Sequence, residues 1–311
     1  MAGVQPLTCF CIRIIKYGYF SMESAAKSAL LKRRLERLYR TFDSSFLSSD
    51  PLEFVHMYKR KEDKEVVGLI ASSLAYGRVQ GIRRSVAFVL DVMGGKPSGF
   101  TTRFRPGRDS ALFSGFVHRF NTGPDIACLI YFMQQMLEEK GSIEGFFLKG
   151  YSPDDENIKA ALTAFSRNAL SLDSSPIYGK DLLPEKAGVR FFFPDPMDGS
   201  PCKRLNLYLR WMVRRKDGLD TGIWKHVSPA KLVIPLDTHI ARISRRIGLT
   251  SRTSSDWRMA EEVTAGLKKL DPKDPVKYDF SLCRLGILDK CPSRLDIKKC
   301  EQCLIKELCV L

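Results

Sequence analysis

Apolar residues recur at helical spacing along most of the chain, and almost nowhere at the alternating spacing of a half-buried strand. Between residues 24 and 42, Leu30, Leu31, Leu35 and Leu38 form one stripe with basic residues opposite, which predicts an amphipathic helix. Pro51 follows Ser48-Ser49-Asp50 and suits the first position of a short helix running to Met57. Two further helices are predicted over 62–76 and 79–92, parted only by Gly77 and Arg78. Residues 94–108 read as a loop from their Gly, Pro and Thr content. Helices follow at 110–120, 125–139, 143–148 and 157–170. Residues 173–201 are irregular and aromatic, either a connection between lobes or a loop lining a cleft. With helices also at 254–270 and 272–287, the pattern predicts an all-α protein of about ten to twelve helices and no repeat.

Two segments carry basic faces. In Lys203 to Arg214, Leu205, Tyr208, Leu209 and Met212 share a face, while Lys203, Arg210 and Arg214 project from the other beside Asn206. In residues 231–249, KLVIPLDTHIARISRRIGL, Pro235 disfavours helix before it and Asp237 is a preferred N-cap, so a helix starts there and stops at Gly248. Ile240, Ile243 and Ile247 face one way, and Arg242, Arg245 and Arg246 the other. The carboxylate at the entrance is either a cap alone or a reactive group. Adjacent basic helices suggest a shared phosphate-binding surface, against the plainer reading of solvated faces.

Charge strengthens that suggestion. Fifty Lys and Arg against 35 Asp and Glu leave +15 at neutral pH, a field that attracts polyanions. The 94–108 segment adds Lys96, Arg103, Arg105 and Arg108 among Phe100 and Phe104, as a solvated loop or a basic arm near nucleic acid. No apolar run approaches the roughly 18 residues that span a bilayer. Residues 1–21 lack the clean apolar core and cleavage site of a signal peptide, and read as a disordered tail or an over-long start. The expected setting is the cytoplasm, with no membrane role.

Nine cysteines and no signal peptide argue against a disulfide framework. Cys291, Cys300, Cys303 and Cys309 have the spacing C-x8-C-x2-C-x5-C, a constellation of soft donors suited to zinc or an iron–sulfur cluster. Cys283 could replace Cys291, leaving the latter idle.

L-D-T-H heading a helix with I-x-R-I-x-x-R, followed by a terminal four-cysteine tail, resembles the helix-hairpin-helix DNA glycosylase superfamily, with endonuclease III and the MutY-type adenine glycosylases as its iron–sulfur members. K-R-L-N-x-x-L-R-W-M-V-R at Lys203–Arg214 and P-L-D-T-H at Pro235–His239 also resemble an uncharacterised bacterial family related to those enzymes. That likeness covers most of the chain from about Met22. Likeness to the characterised enzymes is confined to the part after about Ser200, with a faint echo at 68–80. The resemblance implies a two-lobed helical fold, Asp237 as catalytic carboxylate, and a [4Fe–4S] cluster on Cys291, Cys300, Cys303 and Cys309. It also implies DNA contacts from Arg204, Arg210, Arg214, His239, Arg242, Arg245 and Arg246.

The chain departs from the superfamily in lacking the L-P-G-V-G hairpin, whose amides grip phosphate; Gly218 and Gly222 are spaced differently. Leu219 stands where bifunctional relatives carry the nucleophilic lysine. Lys203, Lys225 and Lys231 are the substitutes. The archaeal 8-oxoguanine glycosylase is similar in its altered hairpin and longer lysine-to-aspartate interval, which favours Lys203, as a nucleophile or else as a phosphate contact. An extruded base needs a pocket, for which Tyr76, Gln80, Trp211, Phe192 and Phe193 are candidates, each equally suited to a core. The expected divisions are a tail to residue 21, a helical lobe at 22–200, catalytic helices at 201–290 and the metal tail at 291–311. The expected function is a monomeric repair glycosylase, with or without AP-lyase activity; the alternative is an iron–sulfur binding module for DNA or RNA that does no chemistry.

Overall fold

The computed structural model describes residues 9–311 apart from 216, 289, 295 and 311, with side chains described from residue 25 onward except Ser49. Among these residues the regular structure is helical, save for one antiparallel pair of two-residue strands, Val117–His118 and Asn121–Thr122. The all-α expectation holds.

The first helix, Cys9–Thr41, begins well before its predicted start. Residues 9–21, expected as a tail, continue it, and the remainder of that tail lies outside the described residues. Leu35 and Leu38 of the predicted stripe are fully buried. Val79–Val92 forms as predicted. Residues 94–108 do not form a loop: Pro97 and Pro106 each start a short helix, Pro97–Thr102 and Pro106–Asp109. A proline in a first turn removes an N–H that has no intrahelical partner anyway, so here it initiates helix. Arg108 pairs with Asp109 and Phe104 packs near Phe100 and Phe113, while Lys96, Arg103 and Arg105 stay exposed on this helical segment. The helix predicted over 110–120 is instead a 3-10 turn, Ser110–Phe113, leading into the small hairpin. Arg119, in the left-handed region at φ 57°, makes the turn that a helix could not.

The Lys61–Ser73 helix is buried along nearly its whole length. Gly68 lets the Lys203–Val213 helix lie against it, since an added Cβ would stand 2.7 Å from Met212 Cε. Trp224 closes this junction, its indole N–H donating to Glu65 Oε1 at 2.7 Å. Thr238–Arg246 packs on Asp279–Ile287, with Gly286 against the His239 ring. The first helix meets the same region: the Tyr278 hydroxyl and the Lys277 ammonium both donate to Glu36, each at 2.7 Å. Among the described residues no helix is long and apolar enough to cross a membrane.

Candidate active site

Four segments distant in sequence converge on one open cleft of about 670 Å³. They are the turn at Tyr76–Arg78, the head of the Lys203–Val213 helix, the Pro235–His239 entrance, and the Asp279–Ile287 helix. Buried Leu232, Val233 and Ile234 anchor the approach to Asp237, and the Ile234 N–H donates to Thr264 Oγ1 at 3.0 Å. Asp237 caps its helix as expected: Oδ1 accepts from the Ile240 N–H at 2.7 Å. Oδ2 is left to face the cleft, where the Cys283 thiol donates to it at 3.6 Å. One oxygen holds the helix and the other is presented to a ligand. Burial, followed by the charge of Asp237, pushes the Cys283 thiol well above its ordinary range, so it stands there as a neutral donor.

Lys203 also lines the cleft, half-buried, with Nζ donating to the Ala75 carbonyl at 2.8 Å. The residue before it, Cys202, has φ 46°, a conformation rare for a residue with a side chain. Its buried thiol reaches the Pro194 and Ser200 carbonyls, each at 3.4 Å. Strain of this kind persists where the surroundings over-determine the backbone, and here it fixes the first turn from which Lys203 projects. Of the three lysine candidates only Lys203 lines the cleft: Lys231 donates to the Asp155 carbonyl, and Lys225 is exposed elsewhere. Leu219 is buried in the core.

The floor of the cleft was missed from sequence. Asp279 is buried and paired with Arg210. Burial lifts its carboxyl to about 6 against the pull of Arg210, and the nearby Asp237 charge adds to the rise. Arg284 pairs with Asp50 at 2.6 Å on the same floor. The available signal was the i, i+4 pair Asp279 and Cys283 on a helix whose other positions are mostly apolar.

The predicted phosphate-binding arginines are corrected. Arg204 is buried, donates to the Ser73 and Phe191 carbonyls, and stacks 3.5 Å from the centroid of Phe191; burial lowers it to about 10. Arg210 and Arg214 are buried among Asp217, Asp220, Asp274 and Asp279. Arg242 donates to the Cys291 carbonyl at 2.7 Å, and Arg246 to the Cys291 sulfur at 3.1 Å and the Pro292 carbonyl at 2.7 Å. Arg245 donates to the Arg252 and Thr253 carbonyls. Carboxylates enclose Arg210 and Arg214, while Arg242, Arg245 and Arg246 stay half-exposed with carbonyls of residues 252–253 and 291–293 as their acceptors. His239 does line the cleft, half-buried. Tyr76 lines it too, while Gln80 lines an adjoining cavity. Trp211, Phe192 and Phe193 are core residues. In the segment where the hairpin would fall, the amides of Thr221, Gly222 and Trp224 donate to the Trp211 and Met212 carbonyls.

In the tail, the thiols of Cys291, Cys300, Cys303 and Cys309 lie within electrostatic reach of one another. Cys303 and Cys309 are raised by burial first, and then by the neighbouring sulfurs. Cys283 is on the cleft wall instead, against Asp237. Among the described residues no three possible ligands are closed around one metal position. The donor chemistry nonetheless suits a soft metal: four sulfurs on one short tail, with the Arg246 guanidinium against Cys291.

The fold and cleft define a mostly helical protein with a lysine and a carboxylate lining one opening. Residues 50–288 match the family described as protein of unknown function (DUF2400), and the chain belongs to that family. Neither the curated proteins nor the solved structures contain a match.

Proposed function

We propose that the chain is a DNA-repair glycosylase of the helix-hairpin-helix type, cleaving the N-glycosidic bond of a damaged or mispaired base, with AP-lyase capacity. The observation that carries this reading is the convergence of Lys203 and Asp237, 34 residues apart, on one cleft open to solvent. Breaking the bond builds positive charge on the sugar, which the cleft-facing Oδ2 of Asp237 stabilises electrostatically. In the lysine path, Lys203 Nζ bonds to the anomeric carbon as the carbon–base bond breaks. The base leaves with the electron pair and takes up a proton; opening of the sugar ring then gives a Schiff base. If water attacks instead, base release is the whole reaction. Tyr76 and His239 stand in the cleft where an extruded base would lie.

Cys291, Cys300, Cys303 and Cys309 would hold a [4Fe–4S] cluster, with zinc as the alternative. The group would tie the tail to the Thr238–Arg246 helix, and so help hold Asp237 in place.

One observation favours a second reading, a nucleic-acid-binding module without chemistry, for DNA or RNA: the loop at the phosphate-gripping hairpin's position has its amides engaged internally. Base release on a panel of lesion-bearing duplexes separates the two. The glycosylase reading expects release by wild type on one lesion and its loss in Asp237→Asn. No release on any lesion, with DNA affinity unchanged in Asp237→Asn, would leave the binding module.

A further inference from the structure

Beside the cleft lies a second cavity of about 590 Å³, sharing Tyr76, Gly77 and Arg78 with it. Its lining includes the guanidiniums of Arg78, Arg84 and Arg119 and no carboxylate. All three arginines are exposed, and among the described residues none of their guanidiniums has a hydrogen bond or ion pair. The Phe88 ring, 37 % exposed and packed on one side against Phe116, also lines the cavity.

The setting is built rather than incidental. Arg119 takes its left-handed conformation at the hairpin turn, and its side chain lies across Gly77, where a Cβ would come within 3.1 Å of Arg119 Cδ. Gly77 itself has φ +91°. His118 pins the hairpin: Nε2 donates to the Tyr76 carbonyl at 3.0 Å, and Nδ1 accepts from Ser85 at 2.8 Å. Three unneutralised guanidiniums around a concave surface with an exposed ring fit a phosphate and a base together, and stacking of this kind tolerates any base. A paired base has no free face to offer such a ring.

We propose that this cavity seats an unpaired stretch of DNA continuous with the strand in the Lys203–Asp237 cleft. Arg84 and Arg119 hold its phosphates, and Phe88 stacks on a base. The proposal rests on reading the cleft as a DNA site. It is tested by binding alone, on an Asp237→Asn background, so that absence of base release would sink the glycosylase reading without touching this one.

The probes are a duplex with a short unpaired bubble, the fully paired duplex, and AMP as competitor, followed by fluorescence anisotropy across a salt series. Each single-strand phosphate contact contributes a salt slope of about 0.7, so losing two in Arg84→Glu/Arg119→Glu lowers the slope on the bubble by about 1.4. Wild type should then lose about 7-fold more affinity than the variant between roughly 50 and 200 mM salt. Phe88→Ala should weaken bubble binding by about 5-fold or more. Arg84→Lys/Arg119→Lys should keep the wild-type slope, showing that charge, not folding, is read. Unchanged slopes in the Glu variant would overturn the proposal. So would an equal fall on both duplexes, which marks an indiscriminate basic patch. AMP binding that depends on Arg84 and Arg119, with bubble affinity insensitive to both, would make the cavity a free-nucleotide site and overturn it as well.

Discussion

Arg214 is the sharpest place to separate a structural arginine from a DNA-contacting one. Its guanidinium meets Asp217 at 2.6 Å, Asp274 at 2.8 Å and Asp220 at 2.9 Å, in a site almost closed to water. Alanine removes the cation and leaves the carboxylates in low dielectric, with Arg210 still beside Asp220. Removing one partner of a buried ion pair costs about 3–5 kcal/mol, chiefly because the remaining charge is stranded. Unfolding entropy is about 2.1 cal/mol/K per residue, so over 311 residues this corresponds to a fall in Tm of about 5–8 °C. Calorimetry of Arg214→Ala measures it directly. Adding Asp274→Asn should recover part of the loss, since one stranded charge is then gone. DNA affinity, measured well below either Tm, should stay at the wild-type value. An unchanged Tm with weakened DNA binding would refute the burial argument and return Arg214 to the phosphate-binding surface.

Three other outcomes are expected. Asp279 titrates near 6 in the folded protein, above an ordinary carboxyl, so the folded state holds a proton that the unfolded state has released. Its contribution to stability is therefore greatest below the ordinary aspartate value and is lost as pH rises through about 6. Urea midpoints of Asp279→Asn should lack that fall between about pH 4 and 6, and profiles parallel to wild type would contradict it. Leu219→Lys, which places a lysine where the bifunctional helix-hairpin-helix glycosylases carry theirs, buries a charge in the core; its urea midpoint should fall and no borohydride adduct should form at residue 219. Cys303→Ser should lower the iron and sulfide content of anaerobically prepared protein. Zinc without iron in the wild type would replace the cluster, and full metal retention in the variant would remove Cys303 from the ligand set.

What could be read from sequence was local. The Thr238–Arg246 helix and its Asp237 cap were legible because a proline, an N-cap residue and a period of apolar positions lie next to each other in the chain. The same period showed that Arg242, Arg245 and Arg246 share a face. It could not show what covers that face, because the covering carbonyls of residues 291–293 come from a segment that returns to it. The same holds for Arg210 and Arg214, whose carboxylates at 220, 274 and 279 meet only in three dimensions. Pro97 and Pro106 misled in the opposite sense: a residue that breaks a helix from within starts one at its first turn. That Lys203 and Asp237 line one cleft was expected only through the superfamily likeness, since no local pattern brings residue 203 to residue 237. Asp279 was passed over because an acidic residue in a mostly apolar segment looks like a tolerated break in a stripe, and Cys283 was weighed only as a metal ligand.

The central claim is that Lys203 and Asp237 act on one sugar in one cleft. Borohydride trapping on the lesion-bearing duplex that supports base release, followed by mass spectrometry of the digested adduct, tests it most directly. The account expects the reduced adduct on the peptide carrying Lys203, retained in Lys225→Ala and Lys231→Ala and lost in Lys203→Ala. An adduct mapped to any other lysine, or one that survives Lys203→Ala, would contradict it.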